Sequence, residues 1–108
     1  MSFHETCDLI RIEVDDEGTW LCCAARAVDG QENNIRFRLD DHIGNSDGYF
    51  TWDGRDFSSS ARDIVLEHRE DGPWLCAYLR RTDGSESERQ GIRLGDRITN
   101  ENGELQFI

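Results

Sequence analysis

Gly18-Thr19-Trp20-Leu21-Cys22-Cys23-Ala24-Ala25-Arg26-Ala27-Val28-Asp29-Gly30 returns later in the chain as Gly72-Pro73-Trp74-Leu75-Cys76-Ala77-Tyr78-Leu79-Arg80-Arg81-Thr82-Asp83-Gly84. Glycine, tryptophan, leucine, cysteine, arginine and the closing Asp-Gly fall in matching places, 54 residues apart. Working outward, the same offset joins Phe3 to Phe57, Ile10 to Ile64 and Glu13 to Glu67. A one-residue insertion then moves the offset to 55, and Arg38, Leu39, Asp41, Ile43, Asn45 and Gly48 meet Arg93, Leu94, Asp96, Ile98, Asn100 and Gly103. A match this long across one gap identifies a tandem duplication, with repeats at residues 1–53 and 54–108. Duplicating a chain duplicates any site it carries, which favours a bivalent binder over an enzyme with one active centre.

Each repeat reads as β structure. Ile10 to Val14 and Ile35 to Leu39 alternate apolar and charged residues with period two, as half-buried strands do. Trp20 to Val28 and its copy Trp74 to Thr82 supply longer, more apolar strands. Asp29-Gly30, Asp47-Gly48, Asp71-Gly72, Asp83-Gly84 and Asn102-Gly103 are hairpin turn signals. Asp40 to Ile43 and Gly95 to Ile98 break the alternation and predict single helical turns capped by aspartate. Phe57 to Ile64 predicts a further helical turn leading into the next strand. Phe3, Phe57, Trp20, Trp74, Trp52 and Phe107 are expected in the core.

The chain has 108 residues and a net charge of −11, with 36% hydrophobic and 32% charged residues. So large an acidic excess argues against nucleic-acid or anionic-membrane partners, whose phosphates attract Lys and Arg. The longest apolar run, Trp20 to Ala25, falls far short of the ~20 residues that span a bilayer. Met1 to Glu5 shows no basic or apolar leader region, so a cytoplasmic location is expected, non-classical release aside. Cys7, Cys22, Cys23 and Cys76 lack CxxC or histidine spacing for zinc, and no metal or cofactor is expected. They read as buried, reduced side chains, with a Cys7–Cys23 bridge as the competing reading.

Catalytic signatures are missing: there is no GxSxG elbow, P-loop or HExxH. Asp40 to Gly48 superficially suggests a calcium loop, but its glycine falls too late for the EF-hand order. His42 has Arg97 at the equivalent position in the second repeat. A small hydrolase would need a paired carboxylate such as Glu5 with Glu101, and nothing singles that pair out. No enzymatic activity is expected.

The segment Arg38-Leu39-Asp40-Asp41-His42-Ile43-Gly44-Asn45-Ser46-Asp47-Gly48, followed by Trp52 and Phe57, resembles the cyanovirin-N homology family of lectins. Arg93 to Gly103 resembles the same motif again, and the likeness covers the whole chain, most similar to the fungal branch. The resemblance implies an all-β fold of two pseudo-symmetric lobes, each a three-stranded sheet plus a β-hairpin with short 3-10 or helical turns. Strands are exchanged between the repeats, so one lobe takes residues 1–39 plus 95–108 and the other residues 40–94. It implies a monomer by default, with domain-swapped dimers within reach of the strand exchange. Its expected ligands are mannose-rich glycans with α1,2-linked mannose ends, held at up to two sites. The alternative function is an intracellular protein-interaction module that keeps the fold without sugar binding.

Carried over residue by residue, the resemblance places a carbohydrate site in the first lobe at Ser2, Glu5, Thr6, Arg26, Val28, Asn100, Glu101 and Asn102. The matching site in the second lobe takes Asn45, Ser46, Asp47, Asp56, Ser59, Ser60, Arg80 and Thr82. Carboxylates, amides and hydroxyls suit sugar hydroxyls, which both donate and accept hydrogen bonds. Polar content favours the second lobe, because Val28 stands where Thr82 offers a hydroxyl. The resemblance also implies a disulfide between Cys7 and the long strand, but its partner position is Ala25; in the second repeat Ala61 and Leu79 have lost sulfur altogether.

Overall fold

A computed structural model describes residues 3–108. Ten strands are linked by tight turns and by four 3-10 turns, and longer helices are absent from the described residues. Strands β1 (Cys7–Asp15), β2 (Gly18–Arg26) and β3 (Glu32–Arg38) form an antiparallel sheet in the order β1-β2-β3. After the 3-10 turn Leu39–Asp41, β4 (Ile43–Ser46) and β5 (Tyr49–Trp52) make a hairpin. The second repeat follows the same plan. Strands β6 (Ala61–Arg69), β7 (Gly72–Leu79) and β8 (Gln90–Arg93) form a sheet, and β9 (Ile98–Glu101) and β10 (Glu104–Phe107) a hairpin.

The hairpin signals mark real turns. Asp47-Gly48 and Asn102-Gly103 carry left-handed φ at both central residues, 48° with 92° and 52° with 86°. That is the conformation a two-residue turn needs to follow the twist of its strands. Strand pairing also follows the repeat alignment: Cys7 faces Ala25 in β1–β2, and Ala61 faces Leu79 in β6–β7. Each first strand slips register once, at Asp8/Arg11 and Arg62/Val65, with Leu9 and Asp63 left-handed at the bulge.

Equivalent residues from the two repeats meet in one core. Phe3 and Phe57, Leu21 and Leu75, Leu39 and Leu94, and Ile43 and Ile98 are all fully buried in the same cluster. Burying each such side chain contributes about 1.5–3 kcal/mol, and both repeats contribute to the one cluster. The molecule is elongated, with extents of 50 × 28 × 21 Å.

Several expectations are corrected. The helical turns at Leu39–Asp41 and Leu94–Asp96 start one residue early, follow Arg38 and Arg93, and have no side-chain cap. The Phe57 turn ends at Ser60, and β6 begins at the next residue, Ala61. Trp20 and Trp74 lie outside the core, on the opposite face of the long strands from Leu21 and Leu75. Each is half-buried beneath an arginine, Arg36 at 4.0 Å and Arg69 at 4.4 Å, in cation–π contact. Trp52 and Phe107 are half-buried against each other, 5.7 Å apart. All four cysteines are buried and free, which agrees with the reduced reading and leaves the competing Cys7–Cys23 bridge unformed.

Candidate functional site

Each hairpin is tied to a strand end of the other repeat by one asparagine. In the first arrangement Asn100 Nδ2 donates to Thr6 Oγ1 at 2.8 Å and to the Arg26 carbonyl at 2.9 Å. Its Oδ1 accepts from Gly103 N at 2.8 Å, closing the hairpin turn. In the second, Asn45 Nδ2 donates to Ser60 Oγ at 2.7 Å and the Arg80 carbonyl at 2.8 Å. Its Oδ1 likewise accepts from Gly48 N at 2.8 Å. The amides are thus spent on the framework and fix the walls of each cradle.

The turn residue makes a second tie. Asn102 Oδ1 accepts from Val28 N at 2.9 Å. Asp47 Oδ1 accepts from both Thr82 N and Thr82 Oγ1, each at 3.0 Å. These bonds hold the Asp47 carboxyl below the usual carboxylate range. The Thr82 hydroxyl that Val28 lacks therefore closes the hairpin as well as facing the solvent.

The remaining expected residues divide. Ser59, Ser60 and Arg80 line a depression of about 250 Å³ together with Ala61, Arg62, Gly84 and Glu86. Asp56 is turned elsewhere: it lines a neighbouring depression of about 310 Å³ with Asp15, Asp16, Glu17, Arg38 and Asp40. Its backbone is left-handed, at φ 59°, and Arg38 Nη2 lies 3.7 Å from its carboxylate. Ser46 is exposed at the end of β4. Around the first cradle, Glu5 is exposed beside Thr6, and Glu101 accepts from Thr99 Oγ1 at 3.2 Å. Val28 is 91% exposed, an apolar rim with no hydroxyl to offer. Ser2 lies outside the described residues.

Arg62 and Glu86 were not among the expected residues. Arg62 Nε and Nη2 donate to the two Glu86 oxygens at 2.8 and 2.7 Å, a bidentate pair that raises the arginine pKa and lowers that of the glutamate. Arg62 also stacks over Tyr78 at 4.7 Å. The repeat alignment signals the difference, since Asp8 stands at the position of Arg62 and Glu32 at that of Glu86.

The CVNH domain profile matches residues 3–106. The cyanovirin-N homolog of Neurospora crassa is 40% identical over 109 residues, covering 98% of this chain and 97% of that protein. Among solved structures, the CVNH protein of Gibberella zeae superposes with a TM-score of 0.85 at 36% identity, covering 97% of this chain and 95% of that one. Microvirin, solved as a mannobiose complex, superposes with a TM-score of 0.85 at 30% identity, covering 99% and 98% of the two chains. The chain, an all-β tandem repeat similar to the fungal proteins of Neurospora crassa and Gibberella zeae, belongs to the CVNH family.

Proposed function

We propose that this protein is a non-catalytic lectin that binds mannose-rich oligosaccharides, at α1,2-linked mannose ends, through one site on each of two lobes. The lobes are residues 1–39 with 95–108 and residues 40–94. The observation that carries the reading is the pair of cradles, in which Asn100 and Asn45 make the same three hydrogen bonds to fix a hairpin against a strand end. Preset donors and acceptors are what a sugar pocket needs, because polar groups that must first be ordered give back the energy of binding. The mannobiose complex of microvirin supports the sugar class.

Each hydrogen bond to a well-hydrated sugar hydroxyl contributes only ~1 kcal/mol net, so single sites are weak and two sites gain from effective concentration. The protein acts as a monomer, in the cytoplasm, where its four buried thiols stay reduced. Calorimetry with α1,2-dimannose tests the function. A stoichiometry near two that falls to near one in Asn45→Ala supports it; no heat of binding at millimolar sugar overturns it.

A further inference from the structure

The protein carries a net charge of −11, yet the depression beside Ser60 is walled by two arginines, Arg62 and Arg80, and a single carboxylate, Glu86. Glu86 is fully engaged, each oxygen accepting from Arg62 at 2.7–2.8 Å. Arg62 Nη1 donates to Asp63 at 2.6 Å. Nearby carboxylates are also spoken for: Asp47 binds Thr82, and Asp83 accepts from Ser85 N and Oγ at 2.8 and 2.6 Å. The Arg80 guanidinium has no hydrogen-bond or ion-pair partner among the described residues.

The first repeat handles the same arginine differently. Arg26, the copy of Arg80, has Asp8 at 3.7 Å. Asp8 occupies the position that Arg62 takes in the second repeat, opposite Ala24 where Arg62 is opposite Tyr78. Exchanging Asp8 for Arg62 removes the built-in anion and leaves a cation on the rim.

We propose that the depression beside Ser60 prefers sugars bearing an oxyanion, a phosphate monoester or a uronate carboxylate, which Arg80 receives where Asp8 serves in the first repeat. This rests on the sugar-binding reading above. A guanidinium presents a planar fork of donors that matches such groups, and the clamped Arg62 adds to the positive field. Because the pair is exposed, the gain is a few-fold and falls with salt.

Amide-resolved titrations with methyl α-mannoside, mannose 6-phosphate and mannuronate test this. At ~0.02 M salt the anionic sugars are expected to bind around Ser60 and Arg80 about three- to fivefold more tightly than the neutral one, with the ratio approaching one at ~0.5 M. Preference for phosphate alone, or carboxylate alone, supports the proposal and identifies the source of the oxyanion. Arg80→Gln or Arg62→Asp should bring the ratio to one, and Asp8→Arg should create the preference around Thr6 and Arg26. Equal binding of neutral and anionic sugars overturns the proposal but leaves sugar binding standing. Inorganic phosphate binding as tightly as mannose 6-phosphate also overturns it, and no shifts with any sugar removes both readings.

Discussion

The two repeats fill the same niche beside the long strand in opposite ways. In the first, Asp40 is only 1% exposed and accepts from Thr19 N at 2.7 Å, Ser58 N at 2.9 Å and Ser58 Oγ at 2.7 Å. A Cβ on Gly18 would sit 2.5 Å from its Oδ2, so the glycine makes room for the carboxylate. In the second, Gly95 stands for Asp40, Pro73 for Thr19 and His4 for Ser58. The acceptor is gone, the strand N–H that would have faced it is gone, and the His4 ring lies against Gly72, within 3.0 Å of where a Cβ would be. The difference teaches that a buried polar network changes as a set. An aspartate without its donors is a bare buried charge, and donors without the aspartate are unsatisfied.

Breaking the network in the first repeat should have the largest effect. Asp40→Ala leaves buried donors unpaired and should cost about 3 kcal/mol in urea unfolding, given 1.5–3 kcal/mol for hydrogen bonds to a charged group. Converting the niche as a set, with Asp40→Gly, Thr19→Pro and Ser58→His together, should recover at least about half of that loss through coupling between neighbours. A triple variant as unstable as the sum of its parts would contradict the comparison.

Asn45→Ala and Asn100→Ala sharpen it from the other side, because there the repeats agree. Each should cost about 2 kcal/mol and perturb sugar binding at its own lobe only, as measured by unfolding and by amide shifts. Acid should then separate the lobes. Asp47 is ordinarily a carboxyl of pKa 3.8 and is lowered by its bonds to Thr82. Its tie is complete above pH 3.8 and is lost as pH falls through the lowered native value. The neutral Asn102 should show no such loss, so protection of the Thr82 amide, measured against its intrinsic exchange rate, should fall in acid before that of Val28. The smallest effect belongs to Val28→Thr, which offers Asn102 the hydroxyl bond seen at Thr82 and should add about 0.5 kcal/mol.

The duplication and the turn residues carry most of the fold in plain view. Local rules govern them: an Asp-Gly or Asn-Gly pair sets a turn, and the 54-residue offset makes the pairing of Ala61 with Leu79 repeat that of Cys7 with Ala25, the facing pair that the family resemblance implies. The niche around Asp40 is not legible in this way. Asp40 and Asp41 look alike in sequence, and capping predicts a local bond, whereas the carboxylate reaches Thr19 and Ser58, 21 and 18 residues away. The site was legible in part for the same reason. Asn45, Ser60 and Arg80 converge as the family pattern implies, but Asp56 is swung aside by a left-handed backbone that no local motif announces. Arg62 and Glu86 meet across strands, and only comparing the two repeats position by position shows that Asp8 has become an arginine.

The most direct measurement is a titration of α1,2-dimannose into isotope-labelled protein, followed through the backbone amides. Two separate groups of shifting amides are expected, one around Thr6, Arg26 and Asn102 and one around Ser60, Arg80 and Thr82. An absence of shifts at millimolar sugar, or shifts confined to the Asp15, Asp40 and Asp56 depression, would contradict the assignment of the two cradles as sugar sites.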